Sequence, residues 1–421
     1  MVEVSQETAI NRFTTISGTI PSQYISKLNK YSISDPNSEI MLEYCVWEDY
    51  RKKNSYQNCI VKNSDYYLSQ TKKYNLEDLK KAIQHFCGTG KSYPWFISQM
   101  EKLYGKMKSS DLTTEEKKAC TLALSYYTGD KQNSDRSSRN TNAVIRGQNS
   151  FSKTENWYDG EHFYPVIYFI SKAISHLPFY WGYTVRCVQL TEEQTHVYEP
   201  GNIVTWLQWS SSKIGDNPAP YFKKRNTWFF IYSFSSREIS QFSVYNEEEK
   251  EALYSPFSHF LVFKKIYENG KYKIYMRQIE IGLYVNNILW VDDNILNENW
   301  ENKGLMEVAY SKNKTLKIIP KISTDTAMAF LKSFRPFLKS GTVKYKIMSD
   351  MTRKNENPSD NAGARLVKYL QDNGFGDLEI MVFTSSTDKA LREMKKLNVY
   401  MNVKIKVTTK TSDAISFLVS N

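Results

Sequence analysis

A chain of 421 residues is too long for one ordinary hydrophobic core, so two or three domains are expected. Its 56 Lys and Arg outweigh 45 Asp and Glu, giving a net charge of +11. The basic clusters, such as Lys223-Lys224-Arg225 and Lys395-Lys396, are short and carry no zinc-knuckle, RRM or helix-turn-helix pattern, which argues for a solvated basic surface and against nucleic acid as a partner.

The opening stretch Met1–Glu7 is polar and acidic and lacks the apolar core of a secretory signal. No uncharged apolar run reaches bilayer length, so no membrane span is expected. The scattered cysteines, Cys45, Cys59, Cys87, Cys120 and Cys187, include no CxxC pair, which argues against a disulfide framework or structural zinc. A soluble cytoplasmic protein is the expectation. Residues 1–91 read as a polar, helical N-terminal extension. Its one clear helix is Leu76–Phe86, with Leu76, Leu79, Ile83 and Phe86 at helical spacing.

Further helices are predicted at Tyr93–Met107, from Thr113 to Tyr127, and at Phe163–Ser175, with a polar loop Lys131–Asn142 between the last two. Thr113-Thr114-Glu115-Glu116 supplies a capping hydroxyl and an acidic first turn, both of which satisfy the free amides of a helix start. Short strands follow at Tyr183–Leu190, Ile203–Trp209, Thr227–Ser233, Ile239–Val244, Phe257–Lys264 and Lys271–Ile279. Helices first and strands later predict an α+β domain over 92–285. From 286 to 421 strands and helices alternate: Ile288–Val291, Leu316–Ile319, Asp325–Phe334, Lys344–Met348, Ala362–Asn373, Glu379–Phe383, Lys389–Leu397, Val403–Val407 and Asp413–Val419. This alternation predicts an α/β doubly wound parallel sheet, with the domain boundary near Gly282–Asn286.

Three polar sites lie in order along the strand-rich stretch. Arg186 sits in Tyr183-Thr184-Val185-Arg186. Ser210-Ser211-Ser212 follows Thr205-Trp206-Leu207-Gln208-Trp209. Glu249-Lys250-Glu251 precedes Ala252-Leu253-Tyr254-Ser255-Pro256. Carboxylates two residues apart on an extended segment share a face. An arginine on a neighbouring strand can fork onto a pyrophosphate. Breaking a nicotinamide–ribose bond develops oxocarbenium-like charge that a carboxylate can offset.

These residues resemble the R-S-E class of mono-ADP-ribosyltransferases, the arginine-directed eukaryotic branch related to bacterial toxins. Flanking fragments keep the family order: Leu112-Thr113-Thr114-Glu115-Glu116, Ser125-Tyr126-Tyr127-Thr128-Gly129, Asn140-Thr141-Asn142 with Ile145-Arg146, Gly182-Tyr183-Thr184-Val185-Arg186, and Arg237-Glu238-Ile239-Ser240-Gln241-Phe242-Ser243. The resemblance covers roughly residues 92–265 and implies a helical lobe plus a split β-sandwich, with NAD as co-substrate. Arg186 takes the NAD-binding arginine role. Ser210, Ser211 and Ser212 take the serine-motif role, with Ser211 as its first serine. Glu251 takes the catalytic glutamate role, and Glu249 implies an arginine of a protein substrate as acceptor. Cys187 stands where the family usually has glycine.

The C-terminal alternation brings a second set of polar groups to the carboxyl ends of its strands: Asp292-Asp293, Ser349-Asp350, Thr384-Ser385 and Thr408-Thr409-Lys410. Three carboxylates make an oxygen site suited to Mg²⁺, and Asp350 can accept a phosphoryl group there. Residues 286–421 resemble the flavodoxin-like receiver domain of response regulators. The resemblance implies Asp292, Asp293 and Asp350 at the metal, Asp350 as phospho-acceptor, and Thr384 and Lys410 as switch residues. Family receivers place Lys before Pro, and no Pro follows Lys410, so Thr409 stands as an alternative occupant of that position. Phosphotransfer and a degenerate docking module are both open, as is a homodimer through this domain.

The expected function is transfer of ADP-ribose from NAD to arginine side chains of a protein. Two rivals stand beside it: NAD glycohydrolase, with water as acceptor, and a non-catalytic scaffold that binds NAD or protein.

Overall fold

The computed structural model describes residues 13–16, 73–87, 92–129, 138, 141–142, 163–243, 250–256, 258–280, 286–297, 299–313, 316–340 and 344–420. The described residues fall into two compact units, 13–16 with 73–279, and 280–420.

The first unit opens with β1 (Phe13–Ile16) and a helical lobe of α1 (Leu76–Cys87), α2 (Ser92–Leu103), α3 (Thr114–Thr128) and α4 (Tyr164–Ser175). Helix α1, read from sequence as part of an extension, puts Leu79, Ile83 and Phe86 into the same core as the other three. Helix α3 is the centre of the lobe, buried at every residue from Ala119 to Thr128. Its start is the predicted capping box: Thr113 Oγ1 accepts from the Glu116 amide at 3.2 Å, and Glu116 Oε2 accepts from the Thr113 amide at 2.8 Å. Thr113→Ala is expected to cost about 1 kcal/mol, read as a lowered thermal midpoint with unchanged fold. The helix stops at Gly129, where a Cβ would meet the Phe96 ring at 2.3 Å.

Strands then build an eight-stranded sheet: β2 (Phe179–Val188), β3 (Ile203–Trp206), β4 (Ser210–Ile214), β5 (Thr227–Glu238), β6 (Glu251–Tyr254), β7 (Ser258–Glu268) and β8 (Lys271–Ile279), with a one-turn helix α5 (Glu192–Thr195) after β2. The order is β1-β3-β7-β8-β5-β2-β4-β6, and the end of β5 pairs again with β6. Long β5 thus holds β8, β2 and β6 together, which frames the short strands β4 and β6. In β2 the register shifts between Tyr180 and Gly182, and Gly182 adopts φ +134°, a value that side chains disfavour.

Two differences from the sequence reading matter for the site. The tryptophan-rich strand ends at Trp206, so the serine run starts a strand of its own, β4. The strand expected at Ile239–Val244 is a 3₁₀ turn over Ser240–Phe242. Ser240 Oγ accepts from the Glu251 amide at 2.8 Å, while Ile239 and Phe242 bury in the helical-lobe core, so the chain must turn rather than extend.

The second unit holds β9 (Asn286–Val291), α6 (Lys303–Lys312), β10 (Leu316–Lys321), α7 (Thr324–Ser340), β11 (Lys344–Asp350), α8 (Ala362–Asp372), β12 (Glu379–Phe383), α9 (Thr387–Lys396), β13 (Ile405–Thr408) and α10 (Thr411–Val419). All its strand pairs are parallel, in the order β10-β9-β11-β12-β13. Inner strand β9 carries an unbroken apolar run, Ile288 to Val291, as a strand covered on both faces should. Pro320, which cannot donate to a ladder, sits on the edge strand β10. Helix α6 escaped the sequence reading because only Met306, Ala309 and Tyr310 of it are buried. Among the described residues, no helix is long and apolar enough to cross a membrane.

Candidate active site

In the first unit, two cores meet at β4 and β6. Alternation along β6 sends Leu253 into the helical-lobe core and Tyr254 into the sheet core with Trp206, Phe229 and Phe260. A cleft of about 500 Å³ lies at this junction. Its walls include Arg186, Ser211, Ser212, Lys213 and Glu251, with Tyr127 and Asn142 from the helical side. Three elements remote in sequence thus bring an arginine, two serines and a glutamate to one place.

The register explains how. Val185 pairs with Lys213, and Lys213 pairs with Glu251, so one cross-strand row runs from β2 through β4 to β6. Ser211 lies opposite Leu253, and both lie two residues from that row, on the same face as Glu251. The Arg186 guanidinium donates to the Ser211 carbonyl and lies over the Trp206 ring, 5.6 Å from its centroid. That places a fixed cation beside the serine strand. Glu251 is 8 % exposed, and its backbone is pinned on both sides: its amide donates to Ser240 Oγ, and its carbonyl accepts from the Ile239 amide at 2.9 Å. Ser210 does not line the cleft, and Glu249 lies outside the described residues, as do Asn140, Ile145 and Arg146.

Cys187 also lines the cleft, but burial pushes its thiol up to about 11, which keeps it protonated and unreactive near neutrality. Its carbonyl accepts from Arg225 Nη1 at 2.8 Å, and Arg225 packs 4.2 Å over the Phe222 ring. Sequence reading missed Tyr127, Trp209, Phe222 and Arg225 as wall residues. The only signal for them was an aromatic or basic residue beside a motif, and that pattern also describes ordinary core and surface positions.

The second unit gathers its polar groups at the carboxyl ends of its strands. Asp292 is buried, with Oδ1 accepting from the Asn294 amide at 2.9 Å and Oδ2 from the Trp300 indole at 2.8 Å. Asp293 Oδ2 accepts from the Lys354 amide at 2.7 Å. Three of these four oxygens thus accept from protein donors. Among the described residues, no three His, Cys, Asp or Glu side chains group as a metal site requires. The Mg²⁺ expectation at Asp292, Asp293 and Asp350 therefore finds no support among the described residues. Thr384 Oγ1 accepts from the Ser386 amide at 3.3 Å, and Lys410 begins α10 with its amide on Thr408 Oγ1 at 3.0 Å.

Burial, reinforced by the Asp292 carboxylate, pushes the Asp350 carboxyl up to about 7. A carboxyl that holds its proton more tightly folded than unfolded stabilises the fold at acid pH. That contribution is lost as pH rises from the unfolded value toward about 7. Asp350→Asn is expected to flatten the fall in thermal midpoint over that window, measured by denaturation at a series of pH values.

Comparison with known proteins identifies the family of the chain. The family model for NAD:arginine ADP-ribosyltransferase matches residues 55–281. A Mycobacterium avium protein provisionally named NAD(+)–arginine ADP-ribosyltransferase Mav is 33 % identical over 97 residues, covering 23 % of this chain and 12 % of that protein. The chain therefore spans about an eighth of that relative's length. Two solved structures are distantly similar. The type III effector XopAI of Xanthomonas axonopodis pv. citri has 17 % identity and a TM-score of 0.37, over 58 % of this chain and 100 % of the other. Exoenzyme S of Pseudomonas aeruginosa, in complex with human 14-3-3 protein beta and carba-NAD, has 15 % identity and a TM-score of 0.34, over 48 % of this chain and 88 % of the other. With more than half of its length matched by the family model, the chain belongs to the NAD:arginine ADP-ribosyltransferases.

Proposed function

We propose that the first unit transfers ADP-ribose from NAD to arginine side chains of a protein substrate. The observation that carries this reading is the single cleft lined by Arg186, Ser211, Ser212 and Glu251. Arg186 would hold the dinucleotide phosphates by forked, charge-assisted bonds. Ser211 and Ser212 would fix the ribose and the glutamate. Glu251, held by its backbone, would offset the positive charge that develops as the nicotinamide–ribose bond breaks. Glu249, two residues earlier, would orient the incoming guanidinium, and it is the residue on which arginine as acceptor rests.

Incubation with labelled NAD and an arginine-rich protein is expected to label the protein, and Glu249→Ala to abolish labelling while sparing nicotinamide release. Free ADP-ribose without labelled protein in the wild type would establish hydrolysis instead. NAD binding with no nicotinamide release over hours would establish the non-catalytic scaffold.

The domain reading that accompanies this is 92–285 as catalytic domain, 286–421 as receiver-like module and 1–91 as an extension whose helix α1 packs into the catalytic core. The β10-β9-β11-β12-β13 order supports a receiver-like fold, since it places the first strand of the unit between the second and third. The donors already held by the aspartate pair favour docking, regulation or dimerisation over phosphotransfer.

A further inference from the structure

Three polar atoms of side chains that line the cleft are buried without a hydrogen-bond partner: Asn142 Oδ1, Trp209 Nε1 and Ser212 Oγ. Each such atom costs about 1–3 kcal/mol. Native structures keep few of them, and three in the wall of one cleft are groups that a bound ligand could satisfy. The indole is the most informative of the three because it can only donate.

Trp209 is held in place from the helical lobe. The Tyr127 hydroxyl donates to the Trp209 carbonyl at 3.2 Å, and Asn142 Nδ2 donates to the Tyr127 hydroxyl at 3.2 Å. The Tyr127 and Trp209 rings meet edge to face at 6.3 Å. Trp209 is 1 % exposed and belongs to the same core as Leu253 and Phe242. It lies just before β4, four residues from Lys213, the partner of Glu251. The Arg186 guanidinium meets the Ser211 carbonyl, only two residues from Trp209, so Trp209 lies toward the phosphate-holding arginine rather than toward the Glu251 row.

We propose that the Trp209 indole N–H is a donor for the ADP portion of bound NAD, taking a phosphate, ribose or adenine acceptor, with Tyr127 and Asn142 as its positioning residues. This rests on the NAD reading above and adds the half of the ligand that Arg186, Ser211 and Glu251 leave least specified. The nitrogen is enclosed in the wall, so engaging it takes a shift of the indole toward the ligand. In that dry setting the bond is worth more than one made in water.

The full chain with ¹⁵N-labelled tryptophan would be titrated with three probes: a carbocyclic NAD analogue, ADP-ribose and nicotinamide. The Trp209 indole signal is identified by its loss in Trp209→Phe, or by its displacement in Tyr127→Phe should the first variant not fold. The signal is expected to move with the NAD analogue and with ADP-ribose, and to stay with nicotinamide. Trp209→Phe is expected to raise KM for NAD about 5- to 20-fold with kcat within about twofold, because the lost bond is remote from the scissile one. An unmoved signal while the analogue binds overturns the proposal and leaves the NAD reading intact. Movement with nicotinamide alone also overturns it, by assigning the donor to the other half. No binding of the analogue by the wild type defeats the NAD reading and this proposal with it.

Discussion

Glu251→Gln is expected to cut nicotinamide release by about 100-fold or more while leaving NAD affinity within a few-fold of wild type. Gln keeps the shape and hydrogen-bonding capacity of the side chain and removes only its charge. The charge is what matters if positive character builds on the ribose as the bond breaks, because a fixed carboxylate acts without reorganisation. The fold should survive the change. Glu251 is tethered through its backbone to Ser240 and Ile239, and those bonds do not involve the carboxylate. The measurement is nicotinamide release at saturating NAD, with binding followed separately by calorimetry. Release within twofold of wild type would show that the carboxylate does not face the reacting bond, and the proposed mechanism would fall.

Arg353→Ala is expected to destabilise the second unit by about 3–5 kcal/mol. Arg353 has no exposed side-chain surface. Its guanidinium donates to Glu356 at 2.6 Å, to Ser349 Oγ and the Asp350 carbonyl at 2.8 Å each, and to Thr324 Oγ1 at 2.7 Å. The end of β11, the start of α7 and the following loop thus share one cation. Burial alone would raise the Glu356 carboxyl, but the Arg353 guanidinium outweighs it and holds Glu356 below the usual carboxylate range. Removing the arginine leaves Glu356 with Arg365 at 2.8 Å, and leaves Ser349, Thr324 and the Asp350 carbonyl each short of a donor. Arg353→Lys keeps the charge but cannot reproduce the fork, so it should recover only part of the loss. Hydrogen exchange at the β9 and β11 amides reads the effect directly. Protection unchanged in the alanine variant would mean that the network is dispensable.

Arg353 also shows where sequence reading stops. The acidic pair, Asp350, Thr384 and Lys410 were found because motif and spacing pick out the carboxyl ends of parallel strands. A lone arginine in Thr352-Arg353-Lys354 carries no such mark, since its partners come from residues 324, 349, 350 and 356 through the fold. The same limit explains the metal expectation. Spacing puts acids at one edge, but whether their oxygens are open depends on Trp300 and on the Lys354 amide, and neither belongs to the motif.

In the first unit the local physics was readable. The Thr113 cap, the helical face of α1, and the strands at Thr227 and Lys271 follow from hydrogen-bonding residues and apolar periodicity within a few positions of one another. Arg186, the serine run and Glu251 were legible as an ordered set for the same reason. Their meeting in one cleft was not, because it depends on β4 and β6 being separate short strands, held by β2 and by the end of long β5. Sequence alone determined which residue types lie on which local elements, since propensity and periodicity act over a turn or two of chain. The tertiary structure decided which serines face the cleft and that Trp209, Tyr127 and Asn142 share its wall. It also decided that Asp292 is already spoken for, since burial and partner geometry are set by contacts between residues tens of positions apart.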